Sequence, residues 1–179
     1  MQMIKFYVFL TLIADSCMSF PKSYQARFVS WNSKGSIVDF RVRFLGRERR
    51  LNGSVIISED LDSKRFTMSA ETYSDVSGGG DYKLMPFSMP HQSICQAAKN
   101  YGIYFRATLK YGVNTDIPFE SNPCPIPKGN YYMKNASIET DDWPYIMPRG
   151  YFKGVAKFKK DNKVVGTQEV VIFIEDRTP

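Results

Sequence analysis

Val38-Asp39-Phe40-Arg41-Val42-Arg43-Phe44 alternates apolar and charged side chains without interruption. In an extended chain successive side chains point to opposite faces, so Val38, Phe40, Val42 and Phe44 share one face and three charges share the other. That division fits a half-buried antiparallel strand. The same period recurs in Phe66-Thr67-Met68-Ser69-Ala70-Glu71, and again where Phe152, Gly154, Ala156 and Phe158 alternate with Lys153, Val155, Lys157 and Lys159. Lys160-Asp161-Asn162-Lys163 reads as a hairpin turn into Val164–Ile174, whose β-branched run from Val170 to Ile174 suits a central strand. Further strands are expected at Tyr24–Trp31, Leu51–Ser58, Tyr82–Phe87 and Tyr131–Ile138. Seven to eight short strands separated by turn signals predict a mainly β, single-domain fold, a β-cup or sandwich of two antiparallel sheets.

One segment departs from period two. Ile94, Ala98, Tyr101, Phe105 and Leu109 recur at helical spacing, which predicts one helix near residues 91–110 with a start signal at Ser88 and Pro90. Gly102 weakens a continuous helix by about 1 kcal/mol, so a helix ending near Gly102 is the competing reading. Gly78-Gly79-Gly80 reads as a flexible turn, and the proline-rich stretch Asn114–Gly129 as a long ordered loop held by Cys124.

The chain has 179 residues and a formal net charge of +6, enough for one full hydrophobic core. Lys5, the apolar run Phe6–Ile13 and the small residues Cys17 and Ser19 have the layout of a secretory signal peptide, expected to be residues 1–19, with the domain at 20–179. Cleavage after Ser16 is the alternative, and would leave Cys17 in the product. Removal of Cys17 leaves Cys95 and Cys124 as an even pair in an oxidising compartment, and they are expected to be bridged. Two sequons, at Asn52 and Asn135, fit the same route and mark both as glycosylation candidates. The one basic cluster, Arg47-Glu48-Arg49-Arg50, reads as a solvated loop, with a site for an acidic partner as the alternative. Nucleic acid is not expected as a partner, because no motif for it is present.

Catalytic chemistry has little to build on. His91 is the only histidine in the sequence and no Gly-x-Ser-x-Gly elbow occurs. Glu139, Asp141 and Asp142 read as exposed turn carboxylates. No catalytic residue, metal site or cofactor is assigned, and the protein is expected not to be an enzyme. Aromatic side chains make up 15% of the chain, accompanied by Met68, Met85, Met89, Met133 and Met147; such bulk either fills a core or lines a cavity. The cavity candidates are Phe40, Val42, Phe44, Phe66, Met68, Phe152 and Phe158. The helix face Ile94, Tyr101 and Phe105 would form a lid or wall. Burying an acyl chain of ~17 methylenes at about 0.8 kcal/mol each would yield roughly 13 kcal/mol before association costs.

Cys124-Pro125-Ile126-Pro127-Lys128-Gly129-Asn130-Tyr131, then Trp143-Pro144, then Pro148-Arg149-Gly150-Tyr151 opening a lysine-rich hairpin, resembles the secreted lipid-recognition (ML) and ganglioside-activator proteins. With Cys95 upstream on the expected helix, the chain looks most like the insect chemosensory CheA/CheB proteins. The resemblance implies a β-cup with an apolar interior and a secreted, extracellular protein. It also implies non-catalytic binding of a lipid, hydrocarbon or pheromone; a membrane receptor is a further candidate partner. Cys124 matches the family's bridged cysteine, with Cys95 as its partner, and Pro125 and Gly129 match the turn into the next strand. The chain departs from the ML pattern in keeping only two cysteines after the leader. A protein-binding module presenting Trp143–Met147 or Arg47–Arg50 to a receptor or enzyme is the alternative function.

Overall fold

The computed structural model describes residues 22–35, 37–119, 121 and 123–177. The expected leader, with Cys17, lies outside the described residues. The strands are β1 (Tyr24–Gly35), β2 (Val38–Leu45), β3 (Arg50–Ile57), β4 (Phe66–Asp75), β5 (Lys83–Ser93), β6 (Gly129–Ala136), β7 (Gly150–Lys160) and β8 (Lys163–Asp176), with helices α1 (Ile94–Tyr101) and α2 (Ile103–Arg106) between β5 and β6. They form two sheets, a five-stranded one in the order β1-β8-β7-β4-β5 and a three-stranded one in the order β2-β3-β6. Every strand pair is antiparallel. The expected mainly β class, with two antiparallel sheets, is what the chain adopts.

Register follows the apolar alternation. Val38, Phe40, Val42 and Phe44 pair with Ile57, Val55, Gly53 and Leu51, and those four pair in turn with Gly129, Tyr131, Met133 and Ala136. A slip of one residue would turn this whole row to solvent. Gly53 has φ +149, and a Cβ there would stand 2.1 Å from the Arg41 carbonyl oxygen, so the close approach of β2 requires glycine. The β7–β8 hairpin turns through Asp161 and Asn162 at φ 48° and 64°, the left-handed pair that a two-residue turn between twisted strands needs.

Two corrections concern the helical segment. The start signal at Ser88 and Pro90 is not used, because β5 runs through Ser93; the Ser93 side chain itself caps α1 by accepting Gln96 N–H at 3.2 Å. The helix also divides at Gly102, where Phe105 N–H bonds back only three residues, to Gly102 O at 3.0 Å. That tighter turn rotates α2 relative to α1, so Phe105 leaves the common face and is 51% exposed. It is neither lid nor wall to the interior.

The described residues between α2 and β6 are held by the elements they cross. Thr115 Oγ1 donates to Tyr132 O at 2.8 Å, Asp116 Oδ1 accepts Tyr132 N–H at 2.7 Å and Lys134 N–H bonds to Asn114 O at 2.7 Å, so the loop covers the outer edge of β6. Farther on, Leu61 and Ile126 exchange backbone hydrogen bonds of 2.8 and 3.1 Å. Cys95 and Cys124 form the expected disulfide, with Cα atoms 5.8 Å apart. The bridge fixes α1 to the turn that feeds β6.

Candidate functional site: the concave interior

The inner faces of the two sheets meet around Phe28, Val38, Leu51, Val55, Phe66, Ile94 and Met133, all buried. Phe40, Val42, Phe44, Met68 and Phe158 pack against this cluster but stay partly exposed. Thus seven of the expected interior residues, counting buried Phe66 and Ile94, converge on one apolar body. Phe152 instead joins a second cluster with Tyr24 and Ile174, at the other end of β7. Tyr101 is half-buried at the end of α1, and Phe105 lies outside.

Between these clusters the inner face of the five-stranded sheet is built from small residues. Ala70 pairs with Ala156 and Thr72 with Gly154 across β4 and β7. All four remain partly exposed. A Cβ added to Gly154 would find no atom within 4 Å. The inward side chains of β2, Phe40, Val42 and Phe44, are likewise only partly buried, so the apolar inner surface is not fully closed. The alternation of β7 already placed Gly154 and Ala156 on the inner face; what sequence reasoning missed was their alignment with Ala70 and Thr72, which depends on a long-range register.

Aromatic rings form the near wall. A register shift in β1 between Phe28 and Ser30 turns both Phe28 and Trp31 inward, although an unbroken period of two would separate them. Phe28 lies 5.7 Å from Phe44 and Trp31 4.7 Å from Phe40, centroid to centroid. Trp31 Nε1 donates to Gln168 Oε1 at 3.2 Å, while Gln168 Nε2 donates to Ser33 Oγ at 2.8 Å and to Val38 O at 3.0 Å. This buried amide is fully engaged, as a buried polar group must be. It joins the sheets at one flank.

The arginine cluster is only partly a solvated loop. Arg49 points back across the molecule: its Nε donates to Phe28 O at 3.2 Å, its Nη2 donates to Val29 O, and its guanidinium lies 4.6 Å from the Phe44 ring centroid. Arg50 pairs with Glu48 at 2.6 Å. His91 is exposed near the end of β5.

Opposite, at the end holding the second cluster, Lys22 donates to the carbonyls of Thr140, Asp141 and Trp143. Trp143 Nε1 donates to Tyr104 O at 3.0 Å. The Gly78–Gly80 turn is held rather than loose. The Asp75 carboxylate accepts Gly80 N–H at 2.7 Å, Gly78 N–H at 2.9 Å and Ser77 Oγ–H at 2.9 Å. Burial opposes ionisation of Asp75, but these donors outweigh it and hold the carboxyl below its usual range.

Residues 67–154 match the family described as a protein of unknown function, DUF1091. The DUF1091 stretch runs from the second residue of β4 to Gly154 in β7, and so contains Ala70, Thr72, both helices, both bridged cysteines and β6. It leaves out β1, β2, β3 and β8. No curated protein matches the chain. Among the described residues, no helix is long and apolar enough to cross a membrane.

Proposed function

We propose that this protein is a secreted, non-catalytic binding protein that holds a hydrophobic ligand, a lipid, hydrocarbon or pheromone, between its two sheets and serves chemosensation. The observation that carries this reading is the incompletely closed interior: inward-facing Phe40 and Val42 of β2 stay partly exposed, as do Val170, Gly154 and Ala156 on the inner face of the other sheet, where a Cβ at Gly154 would meet open space. A closed sandwich interdigitates its inner side chains; one open along its apolar faces exposes surface whose covering by an alkyl chain is favourable at about 25 cal/mol per Å². The resemblance to the CheA/CheB and ganglioside-activator proteins supports the same class of ligand and an extracellular location, and a membrane receptor is proposed as a further partner. The disulfide suits that compartment. Titration of delipidated protein with a fluorescent acyl probe tests the binding. Saturable one-to-one uptake, weakened at least about tenfold by Val42→Glu, is expected; a folded protein that takes up no probe would overturn the reading.

The second reading, an extracellular protein-binding module, draws on the exposed side chains of Tyr145 (60%) and Ile146 (84%), which follow Trp143 in the chain, since clustered exposed apolar residues mark interaction surfaces. Co-precipitation of a receptor that fails on Ile146→Asp while probe binding persists would favour it.

A further inference from the structure

The sequons Asn52-Gly53-Ser54 and Asn135-Ala136-Ser137 are distant in sequence and adjacent in space. The pairing of β3 with β6 passes from Leu51↔Ala136 to Gly53↔Met133, so Lys134 and Asn135 both stand opposite Asn52. Such a bulge leaves a backbone donor without its ladder partner. Here Asn52 Oδ1 accepts Asn135 N–H at 3.0 Å. Asn135 has φ 50°, the left-handed conformation that asparagine tolerates better than most side chains, and it is exposed. Neighbouring Ala136 is fully buried on the inner face, so Asn135 projects outward.

The two amides therefore differ in what they are free to carry. Asn52 lies on the central strand of its sheet, between Arg43 of β2 and the β6 bulge, with its side chain half-buried and engaged. Asn135 borders a surface pocket of about 340 Å³ whose other walls are Leu45, Gly46, Arg47, Glu48 and Arg50. Leu45, 39% exposed, offers an apolar platform for the carbon face of a sugar ring. Glu48 and the two guanidinium groups offer acceptors and donors for hydroxyl and acetamide groups.

We infer that Asn135 carries an N-linked glycan whose first sugars lie in this pocket, and that Asn52 serves the bulge without being the principal acceptor. In the transfer, the Asn135 amide nitrogen forms a bond to C1 of an oligosaccharide held on a polyprenyl diphosphate. The C1–O bond to the diphosphate breaks, the diphosphate leaves with the electron pair, and the amide loses one proton. The inference rests on the secretory route proposed above.

The full chain, expressed with its own leader in a eukaryotic cell line, tests both. Peptide-N-glycosidase digestion of denatured protein from the medium, in ¹⁸O-water, should label Asn135 as aspartate and leave Asn52 predominantly unlabelled. Ser137→Ala, which removes the sequon but keeps Asn135 and its backbone conformation, should abolish the gel shift; Ser54→Ala should retain it. Release of the glycan from native protein should be at least about tenfold slower than from denatured protein, and Leu45→Ala should narrow that gap. Secreted protein bearing its glycan mainly on Asn52, or none, overturns this inference alone. Native release as fast as denatured release overturns the pocket contact. Protein retained unglycosylated in the cytosol overturns the inference and the secretory reading together.

Discussion

Gln168 Nε2 lies 3.0 Å from Val38 O, so a polar side chain on the inner face of the five-stranded sheet holds the first residue of β2 in the other sheet. Gln168 is 4% exposed and also serves Trp31 and Ser33. Gln168→Ala leaves a carbonyl and an indole N–H without partners and is expected to lower unfolding free energy by about 2–3 kcal/mol. Urea denaturation measures this. A loss under about 0.5 kcal/mol would show that the sheets hold together without it.

Gly154 separates binding from folding. Because a Cβ there would meet no atom within 4 Å and the backbone is not left-handed, Gly154→Leu is expected to melt within a few degrees of the parent. The same side chain covers the floor of the interior, so acyl-probe affinity should fall about tenfold or more, roughly 1.4 kcal/mol. Unchanged affinity in the folded variant would place the ligand elsewhere.

The disulfide closes a sequence separation of 29 residues, for which chain entropy predicts roughly 3–4 kcal/mol. The double variant Cys95→Ser, Cys124→Ser should melt about 10 °C lower in calorimetry at equal pH. An unchanged melting temperature would mean that the Leu61–Ile126 bridge and the packing of Ile94 suffice to fix α1.

Asp75 predicts an acid-dependent contribution. Its folded carboxyl titrates below the unfolded value, so the stabilisation it supplies is present above the unfolded pKa of about 3.9 and is lost as pH falls through the folded one. Asp75→Asn should therefore melt below the parent near pH 6, and the difference should shrink as pH is lowered toward 2. A difference independent of pH would contradict the charge-based account of the Gly78–Gly80 turn.

Period two in Val38–Phe44 was enough to read the fold class, since a strand with one apolar face demands a sheet with one buried side. The Asp161-Asn162 turn was legible for a similar local reason. Properties set by distant pairing were not. Gly154 looked like one apolar-face member among others until its register with Thr72 aligned the small residues, and nothing near Gln168 in sequence announces a bond to Val38. Phe105 misled because helical spacing was extended across Gly102, where one tightened turn rotates everything after it. Arg49 was read with its charged neighbours, whereas its left-handed backbone at φ 56° turns it toward Phe28 and Phe44.

The most direct test of an apolar binding interior is native mass spectrometry of the protein recovered from culture medium, before and after organic extraction. The account predicts a discrete excess mass that extraction removes, that reappears as a lipid or hydrocarbon in the organic phase, and that is absent from Gly154→Leu. Protein repeatedly free of bound mass, and unable to acquire one when offered long-chain lipids or hydrocarbons, would contradict it.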